Sequence, residues 1–146
     1  MANVQSQITS CPSVVSQAAA EGALTGMQSL VENLRLTIQN NRDIMLGELG
    51  AFSDITVTKP NGTFYCLPDF RAYGNDSMKL AQFLLEKALV VTVPGKAFGM
   101  EGYLRLSYCG SVKDILSGVE RMKWALDPNA PNEIYIGDRK LIRDWL

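Results

Sequence analysis

Residues 93–111 read VPGKAFGMEGYLRLSYCGS, and this stretch carries most of the information about the fold. It predicts the end of a strand, a glycine-rich turn, a second strand and the start of a helix. Strand side chains alternate between faces, so Tyr103, Arg105 and Ser107 share one face of the second strand, opposite Leu104 and Leu106. The leucine face suits a packed core, and the face with the arginine suits a binding site.

Arg105 is the one charged side chain in this second strand. Its planar guanidinium presents a rigid fork of donors that matches a carboxylate, so it can anchor a small anion beside the turn glycines Gly95, Gly99 and Gly102. A plainer interpretation stays open: the arginine faces solvent on a half-buried strand, and the glycines serve only the turn.

Length, charge and hydropathy exclude several classes of protein. The chain has 146 residues and a net charge of −1. This is the length of one domain, which can bury about 68–70% of its unfolded surface. No long basic run indicates a nucleic-acid partner. The longest apolar run, residues 88–93, is too short to cross a membrane, and the N-terminus lacks the pattern of a signal peptide.

The chain has no histidine, which removes the commonest general base and the commonest neutral metal ligand. Its cysteines are Cys11, Cys66 and Cys109, an odd number without C-x-x-C spacing. We therefore expect buried thiols, no metal site and a cytoplasmic location.

The N-terminal third predicts a long helical region. Residues 10–13 suit a helix start, and Gly26 permits a break. An apolar stripe at helical spacing follows, formed by Met27, Val31, Leu34, Ile38, Met45 and Leu49. This stripe predicts a core face, with a coiled-coil seam as the alternative. Residues 40–43 are expected on the solvent side or as a short interruption.

The remaining elements predict an α+β fold. Strands are expected around residues 55–57 and 64–66, joined by a turn at 59–62, and again at 89–93 and 103–108. Asp76 or Ser77 can cap one helix, and Ser111 begins another with a capping box. The order predicts a small mixed sheet of three to four strands packed by helices.

Several fixed positions resemble the C-terminal region of class I (fold type I) pyridoxal-phosphate-dependent aminotransferases. They are Val90, Pro94, Gly95, Phe98, Gly99, Gly102, Arg105 and Ser107. Residues 60–65, PNGTFY, resemble the family's P-x-G-A-F-Y motif. Residues 5–10, QSQITS, with QAA at 17–19, resemble the segment that enters the family's connecting helix. The resemblance runs from about residue 3 to 124 and is closest to aspartate aminotransferases.

The resemblance implies a division of the chain. Residues 1–126 correspond to the small, C-terminal domain with its connecting helix. The family pattern does not extend to residues 127–146; because they carry Tyr135 and Trp145, we expect them to form a tail that docks on this domain or on a neighbouring copy. Within the tail, residues 133–136 predict a short strand and residues 138–146 a short amphipathic helix.

The resemblance also implies site residues. Arg105 matches the arginine that grips the substrate α-carboxylate. Phe64 matches a position that packs near this arginine, and Gly62 would let the backbone approach the ligand. Thr63 replaces the family's usual alanine.

The cofactor machinery is not expected in this chain. The family's lysine that bonds to pyridoxal phosphate lies upstream of the QSQITS block, so no catalytic, cofactor-binding or metal-binding residue is expected here. In the complete enzyme the resemblance implies pyridoxal 5′-phosphate, an amino acid or 2-oxo acid substrate, contact with the missing large domain, and a homo-oligomer such as a dimer.

Two alternative hypotheses place the chain in other functional classes of protein. The chain could be a non-enzymatic module that binds a small carboxylate or a protein partner, with Arg105 as a simple anion receptor. It could also be a fragment that self-associates through the apolar stripe beginning at Met27. By itself the chain is expected to be catalytically inactive.

Overall fold

A computed structural model of the chain describes residues 2–8 and 10–145. Two compact units are present, Met1–Leu36 and Thr37–Leu146. Thr9 of the QSQITS block and Leu146 of the predicted tail helix lie outside the described residues.

The first unit is helical. It contains α1 (Ala2–Ile8), α2 (Val14–Thr25) and the first part of α3 (Ser29–Leu49). The predicted break at Gly26 is confirmed, since its N–H makes a last bond of 3.0 Å to the Gly22 carbonyl. A Cβ on Gly26 would lie 2.6 Å from that carbonyl oxygen, which explains the glycine.

The second part of α3 enters the core of the second unit. Met45 and Leu49 are buried, as the apolar stripe predicts, whereas Met27, Val31 and Leu34 are exposed. The prediction that residues 40–43 face solvent is wrong for Asn41, which is only 4% exposed. Its spacing of four from Met45 places it on the inward stripe of the helix.

The second unit contains a three-stranded sheet. Its strands are β1 (Tyr65–Cys66), β2 (Val93–Pro94) and β3 (Leu104–Ser107), in the order β1-β3-β2. Both pairings are antiparallel, so the α+β class with a small sheet is confirmed while the expected mixed strand directions are not.

The predicted hairpin around residues 59–62 is wrong. Thr56 makes only an isolated bridge, with Asp69, and β1 pairs with β3 instead. This register places Cys66 opposite Leu106, and both side chains are buried. The strand predicted at 89–93 is also shorter, because Leu89 ends the preceding helix with a left-handed φ of 55°.

Two helices pack on this sheet, α4 (Ser77–Ala88) and α5 (Val112–Leu126). Both predicted caps are confirmed: Asp76 accepts a bond from the Lys79 N–H, and Ser111 accepts one from the Asp114 N–H. The helices bury Leu80, Leu84, Ile115, Val119 and Met122.

The tail forms a hairpin of β4 (Glu133–Ile136) and β5 (Arg139–Ile142). The strand at 133–136 is confirmed, and the helix predicted at 138–146 is wrong. Leu141, Arg143 and Trp145 alternate inward with the period of a strand, and Gly137 takes the positive φ of 56° that a tight turn favours.

The end of the tail contacts both α4 and α5. The Trp145 ring lies edge-on to Phe83 at 5.3 Å and to Trp124 at 5.4 Å between centroids. Asp144 pairs with Lys87 at 2.7 Å. The division of the chain at residue 126 stays a prediction. Within the described residues, no helix has the length and apolar character needed to cross a membrane.

Candidate functional site

The loop between β2 and β3 folds tightly around two of its glycines. Gly95 begins a short 3₁₀ helix, Gly95–Phe98, and a Cβ on it would lie 2.1 Å from the Met100 carbonyl oxygen. Gly99 follows with a φ of 71°, a conformation that costs other residues energy. The glycine spacing in this stretch therefore reflects backbone geometry.

The third glycine lies under an arginine side chain. Gly102 has a φ of 79°, and a Cβ there would lie 2.4 Å from Cγ of Arg71. Arg71 forms an ion pair with Asp69 at 2.5 Å and lies over the Tyr103 ring at 5.4 Å. Hydrogen bonds from Arg71 lower the pKa of Asp69 to about 2, so this pair is charged and mutually satisfied.

A carboxylate fastens the same loop to α4. Glu101 accepts bonds from the Ser77 hydroxyl at 2.7 Å and from the Ser77 N–H at 2.8 Å. The Ser77 hydroxyl in turn accepts a bond from the Lys96 N–H at 3.2 Å. The bonds from Ser77 hold the pKa of Glu101 below its ordinary value, and they fix the loop against the helix start.

Arg105 lies half-buried in the middle of β3, paired in register with Val93. Its Cζ atom is 5.0 Å from the ring centroid of Tyr65 and 5.0 Å from that of Phe98. Across residues 2–8 and 10–145, no carboxylate forms an ion pair with Arg105 and no acceptor takes a hydrogen bond from it. Its donors are therefore available to a ligand.

Phe64 and Gly62 lie just before β1. The Phe64 ring is 51% exposed and sits edge-on to Tyr65 at 5.5 Å, so it is Tyr65 that directly contacts the arginine. The Phe64 carbonyl accepts a bond from the Tyr108 N–H at 2.9 Å. Gly62 is exposed, and a Cβ there would meet nothing within 4 Å, so the fold does not require a glycine.

Ser107 shares the face of Arg105, as alternation predicts. Its hydroxyl donates to the Phe64 carbonyl at 3.4 Å and accepts from the Cys109 N–H at 3.4 Å. Both partners are backbone groups at the neighbouring strand end, so the serine has a local structural role.

Two residues of the site were not assigned a role from the sequence, namely Tyr65 and Phe98. Phe98 appears in the motif that carries the resemblance, and this was the available signal. Tyr65 reaches the arginine only because β1 pairs with β3 and not with residues 55–57. That pairing is a tertiary choice that the sequence pattern did not reveal.

The described lysines are the candidates for a bond to pyridoxal phosphate. A lysine that bonds to a cofactor has to be desolvated or set beside another cation. Here no lysine is buried: Lys96 and Lys113 are exposed. The others pair with carboxylates and are Lys59, Lys79, Lys87, Lys123 and Lys140. None of the seven lysines therefore has the environment that activates an amine for bonding to a cofactor.

A family model described as aminotransferase class I and II matches residues 1–122. The chain belongs to this family. The match contains Arg105, both flanking rings and the glycine loop, so the geometry above is that of an aminotransferase segment.

Curated relatives agree with this assignment. The chain is 41% identical over 133 residues to a probable aspartate/prephenate aminotransferase of Aquifex aeolicus, covering 87% of this chain and 34% of the relative. It is 36% identical to an aspartate aminotransferase of Rhizobium meliloti, covering 87% and 33%. The chain therefore spans about a third of the length of these relatives.

Solved structures of the family share the fold. The aspartate aminotransferase of Thermus thermophilus with maleate superposes with a TM-score of 0.79 at 35% identity, over 86% of this chain and 33% of that one. An aromatic aminotransferase of Pyrococcus horikoshii gives 0.77 at 33% identity, over 83% and 33%.

Proposed function

We propose that this chain is the substrate-holding part of an aspartate aminotransferase-like enzyme, and that Arg105 binds the α-carboxylate of its amino acid or 2-oxo acid substrate. One observation carries the proposal: the Arg105 guanidinium is flanked by two rings while its donors have no acceptor in the described part of the chain. A planar anion can supply the missing acceptors to a half-buried guanidinium of this kind, and can take two of its hydrogen bonds at once.

The chemistry of the fork explains why an arginine is suited to this position. Two parallel N–H···O bonds to a carboxylate fix its orientation as well as its charge. A substrate held in this way presents its Cα–H in one direction, which is the main contribution that a binding residue makes to proton removal. A lysine offers a point charge without this orientation. The related Thermus structure was determined with maleate, a dicarboxylate, which supports a carboxylate ligand here.

The complete enzyme would use pyridoxal 5′-phosphate, which supplies the electron sink for transamination. We propose that the residues that bind it lie in the two-thirds of the relatives that this chain does not match, since the lysines described here are exposed or paired with carboxylates. We also propose that Phe64 and Gly62 contribute to substrate binding, since both lie on the loop that leads into β1.

Calorimetric titration of the chain with maleate tests the role of Arg105. We expect binding by the unaltered chain, loss of at least tenfold in affinity in Arg105→Ala, and a partial loss in Arg105→Lys, because only the fork accepts both carboxylate oxygens. Arg139→Ala on the exposed hairpin is the matched control and should bind like the unaltered chain. Equal binding by Arg105→Ala would contradict the proposal.

Self-association and a cytoplasmic location are also proposed. Several apolar side chains of the first unit are more than 60% exposed, among them Val14, Leu24 and Met27, and such side chains favour association. The expectation of buried thiols is confirmed only for Cys66, since Cys11 and Cys109 are exposed; all three cysteines are free thiols, which suits a reducing compartment. Light scattering over a concentration series tests association, and a monomer at high concentration would refute it.

A further inference from the structure

Two aromatic rings contact the Arg105 guanidinium, one from each side of its strand. β3 is the central strand of the sheet, with β1 on one side and β2 on the other. Tyr65 belongs to β1, and Phe98 lies in the loop that follows β2. Each ring centroid is 5.0 Å from the Arg105 Cζ atom, so the guanidinium is flanked from both neighbouring strands.

Rings and carboxylates use different parts of a guanidinium. An aromatic ring interacts with the cation through its π face. The five N–H donors of arginine lie in the guanidinium plane, where a carboxylate binds. Two rings can therefore restrict the rotation of the side chain without competing for its donors, which have no acceptor among residues 2–8 and 10–145.

We propose that Tyr65 and Phe98 are positioning residues that hold the Arg105 fork ready for a carboxylate before the ligand arrives. This inference rests on the proposed function of Arg105. It also accounts for Phe98, an aromatic side chain that remains 47% exposed and packs over a cation rather than in the core.

The backbone supports both rings. Phe98 is followed by Gly99 in a left-handed conformation, and Gly95 begins the same 3₁₀ turn against the Met100 carbonyl. Tyr65 is fixed by its register with Ser107 and follows Thr63, whose φ of 67° is rare for a β-branched residue. The Thr63 hydroxyl donates to the Tyr65 carbonyl at 3.0 Å, which ties this residue to the backbone of β1.

The cost of ordering an arginine sets the size of the expected effect. Immobilising one rotamer-rich side chain on binding lowers affinity by about three- to tenfold. If the rings order Arg105 in advance, Tyr65→Leu and Phe98→Leu should each weaken maleate binding by about this factor. Tyr65→Phe and Phe98→Tyr keep an aromatic face, so they should bind like the unaltered chain.

A first experiment tests positioning without any ligand. NMR of the Arg105 Nε–Hε group should show a slowly rotating guanidinium with ring-shifted resonances, and both leucine variants should make it rotate faster. Phe98→Leu is the safer variant because the side chain is half exposed, and thermal melting checks that both variants fold. An unchanged Arg105 signal in folded Phe98→Leu would overturn the inference.

A second experiment compares maleate with chloride on the same variants. Chloride is spherical and insensitive to the orientation of the fork, so the leucine variants should lose maleate affinity and keep their chloride affinity. Equal loss for both anions, or no loss for maleate, would count against positioning. Failure of the unaltered chain to bind maleate would instead contradict the proposed function, while the ligand-free NMR result would still decide whether the rings order Arg105.

Discussion

Asn41 on α3 donates its side-chain amide to the carbonyl oxygen of Tyr108, 3.0 Å away and just beyond β3. The same amide donates to the Gly110 carbonyl at 2.9 Å. One buried asparagine thus connects the long helix to the segment that follows the Arg105 strand. The pairing of β3 with β1 reaches only Ser107, and the helix supplies a donor to the two carbonyls beyond it.

Asn41→Ala should lower the free energy of unfolding by about 1–3 kcal/mol, because it leaves backbone carbonyls near the core without a donor. Urea unfolding measures the change. Asn40→Ala is the matched control on the same helix, and its exposed position should make the effect less than about 0.5 kcal/mol. Equal stabilities of the two variants would show that the bonds at Tyr108 contribute nothing.

Gly95→Ala and Gly47→Ala should have opposite effects on stability. A Cβ at Gly95 would collide with two carbonyls, at 2.1 Å and 2.7 Å, so the β2–β3 loop has to move. At Gly47, inside α3, a Cβ would meet nothing within 4 Å, and alanine should stabilise the helix by about 1 kcal/mol. Thermal unfolding shows whether each variant is more or less stable than the unaltered chain. Unchanged stability of Gly95→Ala would refute the loop geometry.

The pair of Asp69 and Arg71 predicts a loss of stability in acid. The pKa of Asp69 is about 2 in the folded chain and roughly 3.9 in the unfolded chain. The pair therefore stabilises the fold fully only when the pH is above the unfolded pKa. This stabilisation should disappear as the pH falls from about 4 to 2. Carboxyl NMR titration should place the pKa of Asp69 near 2 and, in Arg71→Ala, back towards 3.9. Arg139→Ala should leave it unchanged; a normal pKa in the unaltered chain would contradict the pair.

Trp145→Ala should destabilise the second unit by about 2–4 kcal/mol, because it removes a ring packed edge-on against Phe83 and Trp124. Urea unfolding followed by far-ultraviolet circular dichroism measures the loss. Tyr135→Ala in the same tail is the control, since Tyr135 is 64% exposed. If both variants unfold together, Trp145 does not anchor the tail.

Incubation of the chain with pyridoxal phosphate and borohydride should give no stoichiometric adduct at a single lysine. The described lysines are paired with carboxylates or exposed, so none is set apart as a nucleophile. Intact-protein mass spectrometry measures the adduct. A single adduct lost in Lys96→Arg would identify a cofactor lysine next to the glycine loop and contradict the assignment of the cofactor to another part of the enzyme.

Much of the local structure was predictable because it depends on near neighbours in the chain. The caps at Asp76 and Ser111 need only a side chain three residues from a backbone N–H. The alternation around Arg105 needs only the pleat of one strand, and burial follows it, with Leu104 and Leu106 inside. The resemblance to aminotransferases likewise rests on short motifs, at residues 90–107, 60–65 and 5–10 with 17–19.

Other features depend on which elements meet. The pairing of β1 with β3 displaced the hairpin predicted around residues 59–62 and brought Tyr65 to the arginine. The tail forms an antiparallel hairpin instead of a helix, and Trp145 beyond it contacts α4 and α5. A local pattern could not choose between these partners, because the deciding contacts join residues far apart in the chain.

The sequence by itself determined the family, the caps of α4 and α5, and the presence of Arg105 on the polar face of a half-buried strand. These follow from spacing and from chemistry that acts within a few residues. Only the tertiary structure decided what surrounds that arginine: Tyr65 from one neighbouring strand, Phe98 from the loop of the other, and no carboxylate among the described residues. The physical reason is that strand pairing and core burial are settled together, and neither is encoded in a single segment.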